Sequence, residues 1–497
     1  MFRTRGRSLA LVLLLAAPAS RPAGAAPPGP APLDEVVAGL VASSRLRPAS
    51  VAVAVVDPET GAVLADHRGS ASVLPASCLK VATTAAALTV LGADYPLRTR
   101  LLAVPPGRGG DPSALPGDLW LVGYGDPGFS EHGPEASTTA AMDAFARQVA
   151  ARGVRAVRGD LVFDASWFDG PRVHPTWTDA GAPARWYAAE VDALTANDAC
   201  VGVTVEPGGG PGSAGRIRLD PETSLVSVVN RVETTASRKD HGFGFRLAAD
   251  SNTLEITGSV WTRSAGARSP AAIHDPALFC AEQVGRALAR AGVRVCGVIR
   301  RPRAGEECPG DAAVLAEHRT PLRLACAVAN TRSQNLWAET VLRVLGAVRK
   351  GEGSFAKGAE AVREVLAGAG PEVAAGLRPV DGSGLSRDNV ASALALARVL
   401  AHAWRSPQRD AFFDGLAKPG TGTLDDRFGE KRFEGRVFAK TGTLRGVSGL
   451  AGLALGWDGR PAVFVVLGEQ VDVGRCRRLQ DGVVGALVGV PASAARR

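Results

Sequence analysis

Three short clusters of polar residues in this chain could do chemistry together, and the first contains Ser77 and Lys80. The two residues lie in "PASCLKVATT", and the segment that follows, "VATTAAALTVLGA", carries no charge. On a helix, residues three apart share one face. Burial lowers the pKa of a lysine, so Lys80 could stay neutral and act as the base for the Ser77 hydroxyl. Unpaired N–H groups at the helix N-terminus would stabilise developing negative charge.

This serine–lysine spacing is a weak signal when taken alone. Ser354 and Lys357 repeat it at the start of a segment rich in Glu and Arg, where Ser354 is expected to be a helix N-cap. Ser77 differs because the helix predicted behind it is uncharged. An ordinary cap therefore stays open as the alternative for Ser77 on this motif alone.

The second cluster is Ser333-Gln334-Asn335, inside "NTRSQNLWAE", and it is the only S-x-N in the chain. A serine hydroxyl and a carboxamide one residue apart could serve proton transfer and substrate binding. The alternative is a helix start, with Ser333 capping "QNLWAETVLRVL".

The third cluster is Lys440-Thr441-Gly442, followed by Thr443, at the end of an apolar strand. A lysine and threonine hydroxyls at a strand edge can hold a carboxylate. Glycine allows a ligand to approach the backbone closely. A plain turn between two strands is the alternative.

The order S-x-x-K, S-x-N, K-T-G is the signature of penicillin-binding proteins and serine β-lactamases. The chain closely resembles the low-molecular-mass class C penicillin-binding proteins, the D-alanyl-D-alanine carboxypeptidase/endopeptidase family. The resemblance rests on "PASCLKVATTAAAL", "LVGYGDPGFS", "GDLVFDASWFDG", "WYAAEVDALTANDAC", "SQNLWAE", "DGSGLSRDN" and "AKTGTL". One departure is Cys78, where the family usually has a small polar residue. The Cys78 side chain is expected to point away from the face of Ser77.

The resemblance implies a role for each matching residue. Ser77 would be the nucleophile, with Lys80 as its base, and the N–H groups of Ser77 and Thr443 would form the oxyanion hole. Ser333 would relay a proton to the leaving amine, and Asn335 would hold the substrate amide and Lys80. The resemblance thus assigns catalysis to Ser77, Lys80, Ser333, Asn335 and Lys440, and substrate binding to Thr441, Gly442, Thr443 and Arg387.

The resemblance also implies an α+β fold. The catalytic domain, of the penicillin-binding-protein and serine β-lactamase type, would have an antiparallel sheet flanked by helices and interrupted by a large β-rich insertion. Strand patterns near both ends of the chain agree with one sheet built from both termini. We expect residues 33–100 and 301–497 to form the catalytic domain and residues 101–300 the insertion. Helices are predicted at Thr139–Arg152, Leu322–Ala329, Asn335–Val348, Ser354–Ala369, Val390–Ala403 and Arg475–Leu487.

The first residues predict export. Arg3, Arg5 and Arg7 precede the apolar "SLALVLLLAAPA", a pattern typical of a signal peptide over residues 1–25. A short membrane anchor is the alternative, and at most peripheral membrane association is expected of the mature chain. Cleavage would remove four arginines and no acid, so the formal charge would fall from +8 to +4. No basic run indicates nucleic-acid binding. The expected location is periplasmic or extracellular.

Other motifs give no sign of a cofactor or a metal. The seven cysteines form no C-x-x-C pair, and the seven histidines show no H-E-x-x-H spacing. The segment Gly123–Gly128 matches G-x-G-x-x-G, but Pro127 breaks the helix that should follow it. No metal and no cofactor are therefore predicted. Because the cysteine count is odd, at least one thiol is left unpaired within the chain.

The resulting prediction is a serine-type D-Ala-D-Ala carboxypeptidase, endopeptidase or both, acting on peptidoglycan stem peptides and inhibited by β-lactams. Two alternatives stay open: a serine β-lactamase or esterase on the same fold, and a non-enzymatic wall-binding scaffold. The sequence does not separate carboxypeptidase from endopeptidase preference. It also leaves open the third residue of the stem peptide, the oligomeric state, the disulfide pairing and the role of the insertion.

Overall fold

The computed structural model describes residues 32–106, 110–177, 185–248 and 251–489, so the predicted signal peptide over residues 1–25 lies outside it. The described helices are α1 (Leu33–Ser43), α2 (Lys80–Leu91), α3 (Thr138–Ala151), α4 (Pro276–Arg290), α5 (Leu322–Thr331), α6 (Asn335–Lys350), α7 (Phe355–Ala367), α8 (Pro371–Gly376), α9 (Ala393–Arg405), α10 (Arg409–Asp414) and α11 (Val473–Val488). The strands up to the middle of the chain are β1 (Val51–Val56), β2 (Val63–His67), β3 (Pro96–Ala103), β4 (Ala114–Leu115), β5 (Leu119–Gly123), β6 (Ala156–Val157), β7 (Leu161–Asp164), β8 (Cys200–Glu206), β9 (Arg216–Asp220), β10 (Ser227–Thr235) and β11 (Gly242–Leu247). The later strands are β12 (Thr253–Trp261), β13 (Ala267–Ala272), β14 (Arg294–Val295), β15 (Ile299–Arg300), β16 (Ala313–Pro321), β17 (Leu377–Arg378), β18 (Val390–Ala391), β19 (Val437–Leu444), β20 (Val447–Leu455) and β21 (Pro461–Glu469).

A five-stranded antiparallel sheet joins the two ends of the described chain, in the order β19-β20-β21-β1-β2. Every residue of β1 is buried, because helices cover both faces of the sheet. Val51, Val53 and Val55 belong to the core shared with α1 and α11. Ala52 and Ala54 belong to the core on the opposite face, which includes residues of α2 and α9. The predicted α+β class and the predicted sheet flanked by helices are both confirmed.

The residues between β3 and β16 form the middle region, which is connected to the rest of the chain through that pair of strands. β3 and β16 pair antiparallel from Ala103–Ala313 to Pro96–Pro321, so the two connections lie side by side. Both strands belong to a second five-stranded sheet, in the order β15-β7-β5-β3-β16. Strand β3 includes the boundary predicted near residue 100, whereas β16 begins at Ala313, after the boundary predicted near residue 300. The division of the chain into domains stays a prediction.

Helix α9 begins later than the sequence indicated. Val390 and Ala391, predicted as its first residues, instead pair with Leu377–Arg378 as short strands. The helix begins at Ala393 because the Ser392 side chain accepts a hydrogen bond from the N–H of Ala395. None of the helices in the described part of the chain is long and apolar enough to cross a membrane.

Candidate active site

Ser77 lies in the turn that directly precedes the buried helix α2. Ala76–Leu79 forms a 3₁₀ turn, and α2 follows directly from Lys80. The predicted helix N-terminus is therefore this tight turn, and the 3₁₀ geometry still brings residues three apart onto one face. Ser77 is partly exposed, whereas every other residue from Leu74 to Leu88 is buried. The turn thus presents a single side chain to solvent.

Lys80 is fully buried and hydrogen-bonded in a way that suits a neutral amine. Its Nζ lies 2.7 Å from Asn335 Oδ1 and 2.8 Å from the Ser383 carbonyl oxygen, which can only accept hydrogen bonds. The third partner is Ser77 Oγ, 3.1 Å away, which can donate as well as accept. When the amine is neutral, the other two acceptors hold its two N–H bonds and its lone pair faces the Ser77 hydroxyl. Burial, and then the nearby charge of Lys440, lower the pKa of Lys80 well below its usual value.

Ser333 faces the same cleft and does not cap its helix. Gln334, not Ser333, occupies the N-cap position of α6, and no side chain caps this helix end. Ser333 has a left-handed backbone, with φ of 60°, and its Oγ accepts a hydrogen bond from Lys440 Nζ at 2.9 Å. The capping alternative is therefore wrong for Ser333. For Ser354 the predicted cap is confirmed, because its Oγ accepts the N–H of Lys357.

The K-T-G cluster lies on β19, the edge strand beside the cleft. Lys440 is fully buried, and its Nζ also donates to the Thr441 carbonyl oxygen at 2.6 Å. Burial lowers the pKa of Lys440 to about 8. The amine is thus held next to Ser333 and remains able to carry a charge near neutral pH.

The backbone of β19 points the N–H of Thr443 into the cleft. Amide directions alternate along a strand, and the N–H of Ala439 points away from β20, toward the carbonyl of Ala417 at 2.9 Å. The N–H of Thr443, four residues further on, therefore points to the same open edge. Thr443 also lines the cavity that contains Ser77. An oxyanion hole made by the N–H groups of Ser77 and Thr443 is compatible with this arrangement.

Gly442 contacts the nucleophile turn itself. A methyl group at this position would lie 2.9 Å from the Pro75 carbonyl oxygen and 3.0 Å from the Cys78 nitrogen. The glycine is thus required for β19 to approach the turn, which is a packing reason and not one of ligand access. The Cys78 thiol is fully buried, 3.6 Å from the Lys440 carbonyl oxygen, so its side chain packs against the sheet.

Sequence reasoning missed the Ser383 carbonyl and also Glu339, the buried acid that holds the Ser383 backbone in place. Glu339 is fully buried and accepts hydrogen bonds from the N–H groups of Gly382 at 2.8 Å and Ser383 at 2.7 Å. Burial, and then the neighbouring Asp381, raise the pKa of Glu339 to about 8. Glu339 lies four residues after Asn335 on α6, and this spacing on one helix face was an available signal. A backbone carbonyl, in contrast, has no signature in the sequence.

The cleft around Ser77 extends in two directions. One cavity of about 800 Å³ also contains Trp177, Trp186 and Arg387, whose Nη2 donates to the Arg445 carbonyl oxygen at 3.0 Å. The other, of about 310 Å³, contains Thr441 and runs toward α11. Ser77, Ser333 and Thr443 line both cavities. The structure therefore brings all nine predicted site residues to one cleft or its wall.

Two further observations concern metals and thiols. Within the described ranges, no group of three or more His, Cys, Asp or Glu side chains is arranged to hold a metal ion. All seven cysteines carry free thiols, and five of them are buried.

A serine held against a buried lysine whose pKa is lowered, with a second serine–lysine pair across the cleft, defines the class of active-site serine enzymes that includes the penicillin-binding proteins. Within that class, the chain belongs to the D-Ala-D-Ala carboxypeptidase 3 (S13) family, whose model matches residues 33–488. The predicted family is thereby confirmed.

Relatives and solved structures agree over most of the chain. The D-alanyl-D-alanine carboxypeptidase of Actinomadura sp. (strain R39) is 33% identical over 448 residues, which cover 87% of this chain and 80% of the relative. The structure of penicillin binding protein 4 (dacB) from Haemophilus influenzae superposes with a TM-score of 0.74 at 21% identity, over 90% of this chain and 97% of that one. A structure of the same Haemophilus protein complexed with a novel β-lactam gives a TM-score of 0.70 at 22% identity over the same shares. These likenesses confirm the predicted penicillin-binding-protein fold.

Proposed function

We propose that the chain is a serine D-Ala-D-Ala carboxypeptidase that acts on peptidoglycan stem peptides through an acyl-enzyme on Ser77. The observation that carries this proposal is the environment of Lys80. Its Nζ contacts Asn335 Oδ1, the Ser383 carbonyl oxygen and Ser77 Oγ, so the lone pair of the neutral amine would face the Ser77 hydroxyl and take its proton. Family membership and the activity named for the Actinomadura relative support the same reaction.

The acylation step follows from the geometry of the cleft. Lys80 takes the proton from Ser77 Oγ, which attacks the carbonyl carbon between the two D-alanines. The N–H groups of Ser77 and Thr443 stabilise the oxyanion. The C–N bond then breaks, the leaving amine receives a proton through Ser333, and D-alanine departs. Water next attacks the ester and releases the shortened peptide together with the Ser77 hydroxyl.

Substrate binding is assigned to the two walls of the cleft. The terminal carboxylate is held by the Lys440 charge and by the Thr441 and Thr443 hydroxyls on the edge of β19. Asn335 Nδ2 donates one of its two hydrogens to the Tyr187 carbonyl oxygen at 2.7 Å. The other hydrogen is left to bind the substrate amide. Arg387 lies in the larger cavity, where it would meet the stem peptide.

The same cleft should accept β-lactams, because their strained amide and carboxylate imitate the D-Ala-D-Ala end. Acylation would open the β-lactam ring and leave a stable ester on Ser77. Such an enzyme works on the cell wall, so we also propose that the chain acts outside the cytoplasm, in agreement with the predicted signal peptide.

The test is intact-protein mass spectrometry with excess penicillin, on the wild type, Ser77→Ala and Ser354→Ala. Ser354 is the matched control, since it has the same spacing to a lysine but caps a helix. One penicillin on the wild type and on Ser354→Ala, and none on Ser77→Ala, would support the proposal. No adduct with penicillin intact would favour a wall-binding scaffold, and no adduct with penicillin destroyed would favour a β-lactamase.

A further inference from the structure

Two residues of the middle region, Tyr187 and Asp198, bind the S-x-N cluster and the helix turn that follows it. The Tyr187 carbonyl oxygen accepts a hydrogen bond from Asn335 Nδ2 at 2.7 Å. Asp198 accepts two more, from Gln334 Nε2 at 3.0 Å and from Trp337 Nε1 at 2.8 Å. Gln334 lies between Ser333 and Asn335, so these contacts hold the segment that carries both functional side chains.

The Asp198 carboxyl is supplied by a constrained turn. Its side chain is 14% exposed, and His132 Nε2 lies 3.6 Å from Oδ2. Asn197, Asp198 and Ala199 have φ values of 50°, 56° and 54°, a left-handed run that non-glycine residues rarely adopt. Such a conformation persists only where the surroundings determine it.

Three hydrogen bonds made by Asn197 hold this turn in place. The N–H of Asn197 donates to the Phe129 carbonyl oxygen at 2.7 Å, and its Nδ2 donates to the Cys200 carbonyl oxygen at 2.8 Å. Asn197 Oδ1 accepts the Thr138 hydroxyl at 2.9 Å. Asp198 is thus held on the middle region from several directions, and it is presented to α6 as a fixed acceptor.

The S-x-N cluster needs such a support because its own helix does not provide one. Ser333 is itself left-handed, and no side chain caps the start of α6. The direction of Ser333 Oγ and the amide plane of Asn335 therefore depend on groups outside the helix. Trp337, fully buried, fixes the first turn of α6 from its side by the bond to Asp198.

We propose that the middle region holds part of the active site in position, and that Asp198 is a positioning residue for Ser333 and Asn335. It acts through its hydrogen bonds to Gln334 and Trp337, while the Tyr187 carbonyl orients the Asn335 amide. This inference rests on the proposed function, in which Ser333 delivers a proton to the leaving amine. Loss of the Asp198 contact should therefore impair that delivery more than the attack by Ser77.

The test compares two acyl-D-alanine substrates that differ only in the leaving group, an amide and a thioester. A thiolate leaves without a proton, whereas an amine must be protonated. For Asp198→Ala we expect kcat/KM on the amide to fall about tenfold or more, and on the thioester by about threefold at most. Gln334→Met removes only the Gln334–Asp198 hydrogen bond and should shift the amide-to-thioester ratio in the same direction.

Two further variants separate positioning from general stability. In Asp198→Asn, the new Oδ1 still accepts from Trp337 Nε1, and the Gln334 amide can rotate so that its oxygen accepts from the new Nδ2. The amide-to-thioester ratio should therefore be closer to the wild-type value than it is in Asp198→Ala. Glu282→Ala removes a carboxyl that binds Thr223, Ser224 and Arg286 elsewhere in the middle region. This control should lower the melting temperature and leave the ratio unchanged.

The outcomes are distinct. An unchanged ratio in both Asp198→Ala and Gln334→Met would overturn the inference and leave the proposed function standing. A parallel loss on both substrates that follows the melting temperature would also overturn it, by showing a merely structural role. A wild-type chain that turns over neither substrate would instead refute the proposed function.

Discussion

Glu339 and Lys80 bind opposite sides of one residue, Ser383. The Ser383 N–H donates to the Glu339 carboxyl at 2.7 Å, and the Ser383 carbonyl oxygen accepts a hydrogen bond from Lys80 Nζ at 2.8 Å. Gly384, with φ of 80°, lets this loop approach the nucleophile turn, since a methyl group there would lie 1.9 Å from the Ala76 carbonyl oxygen. A buried acid thus sets the position of the acceptor that orients the base.

Replacing the base should stop acylation. Lys80→Ala removes the proton acceptor for Ser77, so the rate of penicillin acylation should fall by about a thousandfold. Rapid-quench mass spectrometry measures this rate. Lys357→Ala is the control, because Lys357 has the same spacing to a serine and pairs with exposed Glu360. An undiminished rate in Lys80→Ala would sink the mechanism.

Glu339 should make stability depend on pH. An acid with a raised folded-state pKa binds more protons in the folded than in the unfolded chain, so stability falls as pH rises between the two values. Because the pKa of Glu339 is raised to about 8, the wild type should lose about 1 kcal/mol or more relative to Glu339→Gln from about pH 5 to about pH 8. Urea unfolding across this range measures the difference.

The control for Glu339 is Glu360→Gln. Its exposed ion pairs with Lys350 and Lys357 lower the pKa of Glu360 to about 2. It therefore titrates outside the window, and its stability curve should run parallel to that of the wild type. A parallel curve for Glu339→Gln as well would contradict the prediction.

Lys440 should set the alkaline limb of activity. Its charge is present below its pKa of about 8 and is lost above it. The value of kcat/KM for a peptide with a free terminal carboxylate should therefore fall as pH rises through about 8. A peptide ending in a carboxamide, measured across the same buffers, should show no such fall. Identical limbs for both peptides would remove Lys440 from carboxylate binding.

Gly442→Ala should displace the nucleophile. The added methyl group would press on the Pro75 carbonyl and the Cys78 nitrogen, so penicillin acylation should slow by about tenfold to a hundredfold. Gly485→Ala is the matched control, since a methyl group on that α11 residue meets nothing within 4 Å and alanine favours a helix. Equal acylation rates in the two variants would show that the turn tolerates the methyl group.

Cys78 should be chemically inert despite its place beside Ser77. Burial raises the pKa of the Cys78 thiol to about 12. Iodoacetamide at neutral pH should therefore label exposed Cys296 and spare Cys78 in the folded chain. Peptide mapping after labelling, with and without urea, checks this. A labelled Cys78 in the native protein would mean that the turn opens.

Local signals were enough for much of the fold. Helices α3, α7 and α11 lie within a few residues of their predicted bounds, and Ser137, Ser354 and Asp472 cap their starts. Helix α4 was missed, although Asp275 caps it and Pro276 occupies its first position. The pairing of β3 with β16 could not be predicted, because register between distant strands has no local signature.

The candidate site also contains residues that have a local sequence signal and residues that have none. Ser77, Lys80, Ser333, Asn335 and Lys440 could be found from side-chain types and their spacing. The carbonyls of Ser383 and Tyr187 could not, since every residue carries the same backbone groups. Asp198 was hidden for another reason, because its contact to Gln334 depends on how the middle region folds back onto α6.

The order of strands in the antiparallel sheet makes the surroundings of the nucleophile depend on segments far along the chain. A growing chain produces β1, β2 and the Ser77 turn first, but β1 lies between β2 and β21, and β21 is made hundreds of residues later. A lone two-stranded hairpin is marginal in water. Ser333, Ser383 and Lys440 also emerge late, so the early turn has no acceptors for its lysine and no charge to lower its pKa. The surroundings that make Ser77 reactive are therefore complete only once residues from the C-terminal part of the chain have packed against the turn.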